Sequence, residues 1–196
     1  MKLGRWAHLG HRLGECWVDE VNDVSYIHVP KNASSFVKGV LMGCGGFWHH
    51  SETLVNSNEN LVMLRDPIDR WCSGITQYLH NSKQDLSIEE VFDKITFDDH
   101  TDLQTYFLQG ADLDHATFML VNDSLKKNLN DWIYNRGYRT NVDIAIEYNA
   151  SNEDDRRTTK EYYVKLLEQR SDLVLKLQQY FEPDYKLIGS VKFYES

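Results

Sequence analysis

Twice in the first half of the chain, a short apolar segment typical of a buried strand leads directly into a turn and an amphipathic helix pattern. The first segment, residues 24–29, is rich in β-branched and aromatic residues and ends at Pro30. The second, residues 61–64, is a continuous apolar run that ends at Arg65. Because strand–loop–helix units build parallel sheets, the pattern predicts an α/β fold with a central parallel β-sheet flanked by helices.

The alternation continues along the chain. Ser34 and Ser35 are suitable caps for the first helix, and Pro67 suits the first turn of the second. Residues 87–90 are typical of a capping box. The remaining predicted elements are a strand over 116–121, a helix over 124–135, a strand over 142–146 and one long helix over about 158–181 that ends at Pro183. We expect a single domain over 1–196, with 1–23 as an N-terminal extension.

Composition narrows the class of protein. The formal net charge of -9 argues against a nucleic-acid partner, whose affinity depends on clustered Lys and Arg. The three cysteines form no CxxC pair, which argues against a zinc site or a disulfide framework, and we expect no metal. No apolar run has the length of a signal peptide or a membrane span, so a cytoplasmic protein is expected. The oligomeric state stays open.

The loop after the first predicted strand has the composition of an anion site. Backbone N–H groups at a helix N-terminus favour an anion, Lys31 adds a positive charge, and Ser34 and Ser35 add hydroxyl donors. A Walker A loop carries its Lys at the end and contains glycines, whereas this loop has Lys31 near its start and no Gly before Gly39. By itself the segment is also compatible with a capped helix and a solvated lysine.

A second segment supports the anion interpretation. Arg65 follows the buried run 61–64, and Ser73 lies eight residues later, two helical turns along. Both side chains could therefore face one phosphate beyond the strand end. The order and spacing of the two segments resemble those of sulfotransferases. Residues 29–35 look like their 5′-phosphosulfate loop, and residues 65–73 look like their 3′-phosphate motif, which reads RDPxxRxxS in the carbohydrate O-sulfotransferase branch. Residues 149–151 and 180–189 are also similar to that branch.

The resemblance implies a P-loop-like, nucleotide-binding sulfotransferase fold and sulfuryl transfer from 3′-phosphoadenosine 5′-phosphosulfate (PAPS) to a hydroxyl of a carbohydrate, lipid or small molecule. The product is adenosine 3′,5′-bisphosphate (PAP). Arg65 and Ser73 would hold the 3′-phosphate, and Lys31 would meet the charge that develops on the leaving phosphate oxygen. Arg70 could assist. The 5′ end of the donor would be held by Lys31, Asn32, Ala33, Ser34, Ser35 and Phe36.

The catalytic base is less sharply defined. Family members often place a His or Glu between the two phosphate motifs, and His49, His50 and Glu52 fall there. A neutral imidazole accepts a proton near neutral pH, so the two histidines are preferred, without a choice between them. His100 and Gln104 resemble a segment of the carbohydrate branch that would line the acceptor pocket, and a polar turn is the alternative for His100.

Two other classes of function remain open from the sequence. One is a nucleotide kinase-like phosphotransferase, disfavoured by the position of Lys31 and by the lack of an evident carboxylate motif for Mg²⁺. The other is a nucleotide-binding regulatory protein of the same fold that has no transfer activity. The sequence does not name the acceptor.

Overall fold

The computed structural model describes residues 14–139 and 154–196, with the backbone only for residues 154–158. The elements, in chain order, are β1 (Cys16–Asp19), β2 (Val24–Ile27), α1 (Ser34–Gly43), β3 (Trp48–Ser51), β4 (Glu59–Leu64), α2 (Pro67–Ser82), α3 (Ile88–Lys94), α4 (Gln104–Phe107), β5 (Ala116–Leu120), α5 (Leu125–Asn135), α6 (Asp154–Gln169), α7 (Ser171–Tyr180) and α8 (Glu182–Ser190). The α/β class is confirmed.

The five-stranded sheet has the order β3-β1-β2-β4-β5 and is mixed. β2, β4 and β5 run parallel, as predicted, whereas β1 is antiparallel to both β2 and β3. The predicted central parallel sheet is therefore confirmed for β2, β4 and β5 only. The reason is the four-residue connection from β1 to β2, which is long enough for a hairpin and far too short for a parallel crossover. The carboxylate of Asp19 stabilises this turn by accepting the N–H groups of Val21 and Asn22.

Residues 16–19 correct the predicted N-terminal extension. They form β1, which lies between β3 and β2 inside the sheet, so this part of 1–23 belongs to the domain. β3 was not predicted either. Both strands are only four residues long and carry polar residues such as Asp19 and His49, so their patterns are weak.

Apolar clusters pack on the two sides of the sheet. One contains Tyr26 of β2 and Leu61 of β4 together with buried residues of α1 and α5. The other contains Ile27 and Val62, the next residues along the same strands, and includes Phe107 of α4. Successive strand residues point to opposite faces, so the sheet is covered on both sides. A third cluster joins α2 and α3 to the C-terminal helices around Trp71.

Several predicted helices are confirmed, including α2, which begins at Pro67, and α3, whose capping box joins Ser87 and Glu90. The prediction of a single long helix over 158–181 was wrong. This segment divides at Arg170, where ψ is 78° and departs from helical geometry, into α6 and α7. Pro183 lies in the first turn of α8, which begins at Glu182, and its missing N–H is tolerated there. The predicted strand 142–146 and residues 149–151 lie outside the described residues.

Within 14–139 and 154–196, no helix combines the length and the apolar character needed to cross a membrane.

Candidate functional site

The loop that links β2 to α1 has an unusual backbone. Lys31 and Ala33 both have positive φ, 67° and 56°, although neither is glycine. Non-glycine residues rarely adopt this left-handed conformation, and such outliers cluster at binding sites. Alternation of left-handed with other conformations is also the geometry in which neighbouring N–H groups form an anion-binding concavity. The left-handed conformation of Lys31 and Ala33, which the sequence did not indicate, adds to the preference for an anion expected at a helix N-terminus.

Helix α1 begins beyond this loop without a side-chain cap. Ala33 occupies the cap position and Ser34 is the first helical residue, so the expected capping role of Ser34 and Ser35 was wrong. By contrast, Asp66 caps α2 through two hydrogen bonds. The first turn of α1 contains no acidic side chain, so its N–H groups and the helix dipole meet no negative charge there. Ser35 is exposed, and Ser34 and Phe36 are half-buried.

Arg65 connects the two predicted phosphate segments. Its Nη1 donates to the carbonyl oxygen of Lys31 at 3.0 Å, and its Nε donates to Oδ2 of Asp69 at 2.6 Å. Nη2 lies 2.5 Å from the same oxygen. Lys160 of α6 approaches Asp69 from the other side, at 2.8 Å. Burial favours the neutral form of Asp69, but the Lys160 hydrogen bond and the charge of Arg65 outweigh it, so the pKa of this carboxyl is lowered.

Arg70 is completely buried and acts on the same loop. Its Nε donates to the carbonyl oxygen of Pro30 at 2.9 Å, and its two terminal nitrogens donate to the carbonyls of Asp99 and Asp102. Desolvation lowers the pKa of Arg70 to about 10, so it is still charged at neutral pH. The carbonyls of residues 30 and 31 are therefore held by two arginines of one segment, and Arg70 is a structural residue that positions the loop.

Asn32 and Gln104 are fully buried and bonded to each other. The Asn32 amide also donates to the carbonyl of Met63 at 2.7 Å. Gln104 accepts the N–H of Arg65 at 3.0 Å and donates to the carbonyl of the same residue at 2.9 Å. These contacts make both side chains positioning residues between the loop and the end of β4. We therefore do not retain Gln104 as an acceptor-binding residue, nor the Asn32 side chain as a donor-binding group.

Asp184 supports Gln104 from α8 and was missed by the sequence reasoning. Its carboxylate accepts the N–H of Gln104 at 2.8 Å and that of Thr105 at 2.9 Å, at the start of α4. The residue is 1% exposed. It falls in the segment 180–189 that resembles the carbohydrate branch, but 80 residues separate it from Gln104, so no local pattern could reveal the contact.

The two candidate bases lie on opposite faces of β3. Trp48 belongs to the same apolar cluster as α1, and His50, two residues later, shares that face. His49 points the other way, is exposed and lies 3.8 Å from Glu20. Glu52 is exposed just beyond the strand. The structure thus distinguishes the two histidines, which the sequence could not do. His50 lies on the face of β3 that is turned towards α1, and His49 lies on the opposite face.

His50 belongs to a polar and aromatic cluster that the sequence reasoning missed. Glu15, which is 12% exposed, lies 3.0 Å from Nε2 of His50 and 3.4 Å from Nδ1 of the buried His28. The Trp17 ring lies 4.8 Å from that of His50 and 5.5 Å from that of His28. The ammonium of Lys38, on α1, is 4.4 Å from the centroid of Trp17. The cluster therefore links His50 to α1, the helix that begins directly after loop residues 30–33.

His100 is held in a polar turn. Its Nδ1 lies 3.0 Å from Asp98 and 3.1 Å from Asp99. Burial favours neutral His100, but the hydrogen bonds and charges of these two carboxylates outweigh it and raise the pKa to about 9. The imidazole is therefore protonated at neutral pH and is not available as a base. His100 thus lies in a polar turn, the alternative that the sequence left open, and we do not keep it as a residue of the acceptor pocket. The three side chains are close enough to share a metal ion, but their contacts form an ion-pair cluster.

Ser73 lies half-buried on α2, one turn after Asp69 and therefore on the same side of the helix. That side faces Lys160 of α6, because Lys160 contacts Asp69. Arg65 precedes α2 and bonds the same carboxylate. Ser73 therefore lies on the side of α2 on which Arg65 contacts Asp69, and a phosphate shared by Ser73 and Arg65 stays a prediction.

A separate cavity of about 360 Å³ lies at the opposite edge of the sheet. It is lined by Val24 and Glu59, the first residues of β2 and β4, so it is remote from the carboxyl ends of the strands. Arg136 pairs with Glu59 in its wall. This cavity is not part of the candidate site.

The fold and the site together define an α/β protein in which the loop before α1, with its left-handed backbone and uncapped helix N-terminus, is held by two arginines of a second segment. Comparisons of the chain with protein-family models, with curated proteins and with solved structures give no match in any of the three. Family membership is thus not shown, and the residues and their geometry are what bear on function.

Proposed function

We propose that the protein is a sulfotransferase that moves the sulfuryl group of PAPS to a hydroxyl-bearing acceptor. The observation that carries the proposal is the contact between Arg65 and the carbonyl of Lys31, at 3.0 Å. This contact joins the two segments that resemble the 5′-phosphosulfate loop and the 3′-phosphate motif. A nucleotide with phosphates at both its 5′ and 3′ positions needs two such anion sites side by side.

The 5′-phosphosulfate would occupy the loop before α1. The uncapped amides of Ser34, Ser35 and Phe36 provide N–H donors there, and the left-handed residues Lys31 and Ala33 shape the concavity. Lys31 would neutralise the charge that grows on the phosphate oxygen as the sulfur–oxygen bond breaks.

The 3′-phosphate would bind beside Arg65 and Ser73. A guanidinium has five N–H donors, and the described contacts of Arg65 use three of them. In the contacts between described residues, two N–H donors of Arg65 are not used, and these two would bind the ligand. The Ser73 hydroxyl, on the same side of α2, would supply a further hydrogen bond.

For the acceptor side, we assign His50 as the base in preference to His49, because His50 lies on the α1 face and is bonded to Glu15. In the proposed step the acceptor oxygen forms a bond to sulfur while the bond from sulfur to the donor phosphate oxygen breaks. His50 takes the acceptor proton, and PAP leaves with the negative charge, which Lys31 meets. Proton transfer of this kind contributes roughly 10²- to 10⁴-fold to rate.

Titration calorimetry with PAP tests the donor site. We expect the wild-type chain to bind PAP and Arg65→Ala to bind it at least about tenfold more weakly, as for the loss of one charge-assisted contact. Wild-type protein that does not bind PAP would refute the proposed function. Arg136→Ala is a suitable control, since Arg136 lies at the opposite edge of the sheet.

A screen of hydroxyl acceptors with labelled PAPS tests transfer itself. Lys31→Ala should lower turnover far more than PAP affinity, because its charge is needed most as the phosphate leaves. PAP binding without transfer to any acceptor would instead favour the regulatory class. Metal-dependent hydrolysis of ATP would favour the phosphotransferase class.

A further inference from the structure

Asp69 is held by two cations that come from different parts of the chain. Arg65, at the end of β4, contacts its Oδ2 through Nε at 2.6 Å and Nη2 at 2.5 Å. Lys160, on α6, contacts its Oδ1 at 2.8 Å. Ninety-one residues separate Lys160 from Asp69, so the contact is a product of the tertiary fold.

The convergence of Arg65 and Lys160 marks a place where anionic oxygen is favoured. The two side chains are 17% and 35% exposed, so they are neither freely solvated nor sealed in the core. Asp69 is 43% exposed and leaves the open side of the pair accessible. Arg65 and Lys160 balance the charges of Asp69 and the nearby Asp66, and each cation keeps N–H donors that its described contacts do not use.

The Ser73 hydroxyl lies one helical turn beyond Asp69 on the α2 side that α6 faces. Arg65 and Lys160, which both contact Asp69, and Ser73, one turn further along, therefore lie on one side of α2. A phosphate monoester has three terminal oxygens, so each of these three side chains can bind one oxygen.

We propose that Lys160 is a third contact for the 3′-phosphate, carried by α6 and held in place by Asp69, and that this contact sets a preference for nucleotides phosphorylated at the 3′ position. The inference rests on the proposed function, because it assigns a further residue to the same donor site. Lys160 lies on α6, outside both segments that resemble phosphate motifs, and would help to determine which nucleotide binds.

The test compares two nucleotides, PAP and adenosine 5′-phosphate, that differ only in the 3′-phosphate. Titration calorimetry gives the ratio of their affinities for the wild-type chain and for Lys160→Gln. We expect the variant to bind PAP about tenfold more weakly, as for one partly screened charge-assisted contact, and to bind adenosine 5′-phosphate within about twofold of wild type. Lys160→Arg should restore most of the ratio, because it keeps the charge.

The control is Lys176→Gln, because Lys176 makes a similar contact between helices, 2.9 Å from Asp93 and 42% exposed. It should leave the ratio unchanged. Thermal unfolding of each variant separates a local effect from loss of the fold. A ratio that stays within twofold of wild type in Lys160→Gln would overturn the assignment of Lys160 alone. A wild-type chain that shows no preference for PAP would overturn the proposed function as well, so the two failures are distinguishable.

Discussion

Replacing Arg70 with methionine gives a direct test of how the anion loop is held. Methionine keeps much of the volume of arginine but cannot donate to the carbonyls of Pro30, Asp99 and Asp102. A buried carbonyl left without a partner costs about 1–3 kcal/mol, and three of them set an upper limit near 9 kcal/mol. The desolvation of the guanidinium, which lowers the pKa of Arg70, is relieved in the variant and offsets part of this loss.

We therefore expect Arg70→Met to lower the free energy of unfolding by about 4 kcal/mol, near the centre of the range for breaking one side of a buried charged network. A domain of this size has a total stability of roughly 5–15 kcal/mol, so the variant should fold but unfold at much lower urea. Urea titration followed by tryptophan fluorescence measures the difference, with Trp71 next to the substituted residue.

Arg170→Met is the matched control. Arg170 also makes two side-chain hydrogen bonds, to Asp172, but it is exposed at the junction of α6 and α7. It should leave the urea midpoint unchanged, because exposed ion pairs contribute little. A loss below about 1 kcal/mol in Arg70→Met would refute the reasoning, since it would mean that the three carbonyls find other partners.

Two further predictions concern the histidines. The pKa of His100 is raised to about 9 from an ordinary 6.5, so its contribution to stability is fully present below pH 6.5 and is lost as pH rises through 9; up to about 3 kcal/mol is at stake. His100→Gln should flatten this part of the curve in denaturation measured against pH, and an unchanged curve would contradict the assignment. With an acceptor from the screen, His50→Ala should lower turnover by about 10²-fold or more and His49→Ala by less than about threefold, and equal losses would remove the distinction between the two faces of β3.

The parallel part of the fold could be predicted because its signals are local. The mainly apolar residues of β2 and residues 61–64 of β4 are followed at once by loop and helix residues, so the pattern and the tertiary structure agree. β1 and β3 are different. Asp19 sits in β1 with its carboxylate bonded to the turn and to Tyr138, and His49 and His50 occupy half of β3. Strands of this kind form because they pair with neighbouring strands, and a pattern over four residues does not reveal that pairing.

The candidate site divides in the same way. Lys31, Arg65 and Ser73 are candidates from the sequence because each lies at a short, fixed distance from a predicted strand end. The residues that orient them come from remote parts of the chain. Lys160 reaches Asp69 from α6, and Asp184 reaches Gln104 across 80 residues. Charge and hydrogen-bonding capacity are visible in a sequence, but the partner that uses them is set by packing.

The two phosphate segments are best regarded as one mechanical unit. Arg70 and Arg65 hold the carbonyls of Pro30 and Lys31, and Gln104 ties Arg65 to Asn32 in the core. A loop held at three successive residues is already ordered before any ligand arrives, so binding need not supply the free energy of ordering it. The same bracing maintains the left-handed backbone at Lys31, which an unsupported loop would relax. The arginines of the second segment therefore hold the first segment in the absence of a ligand, and a substitution at Arg65 should be judged by its effect on both proposed phosphate sites.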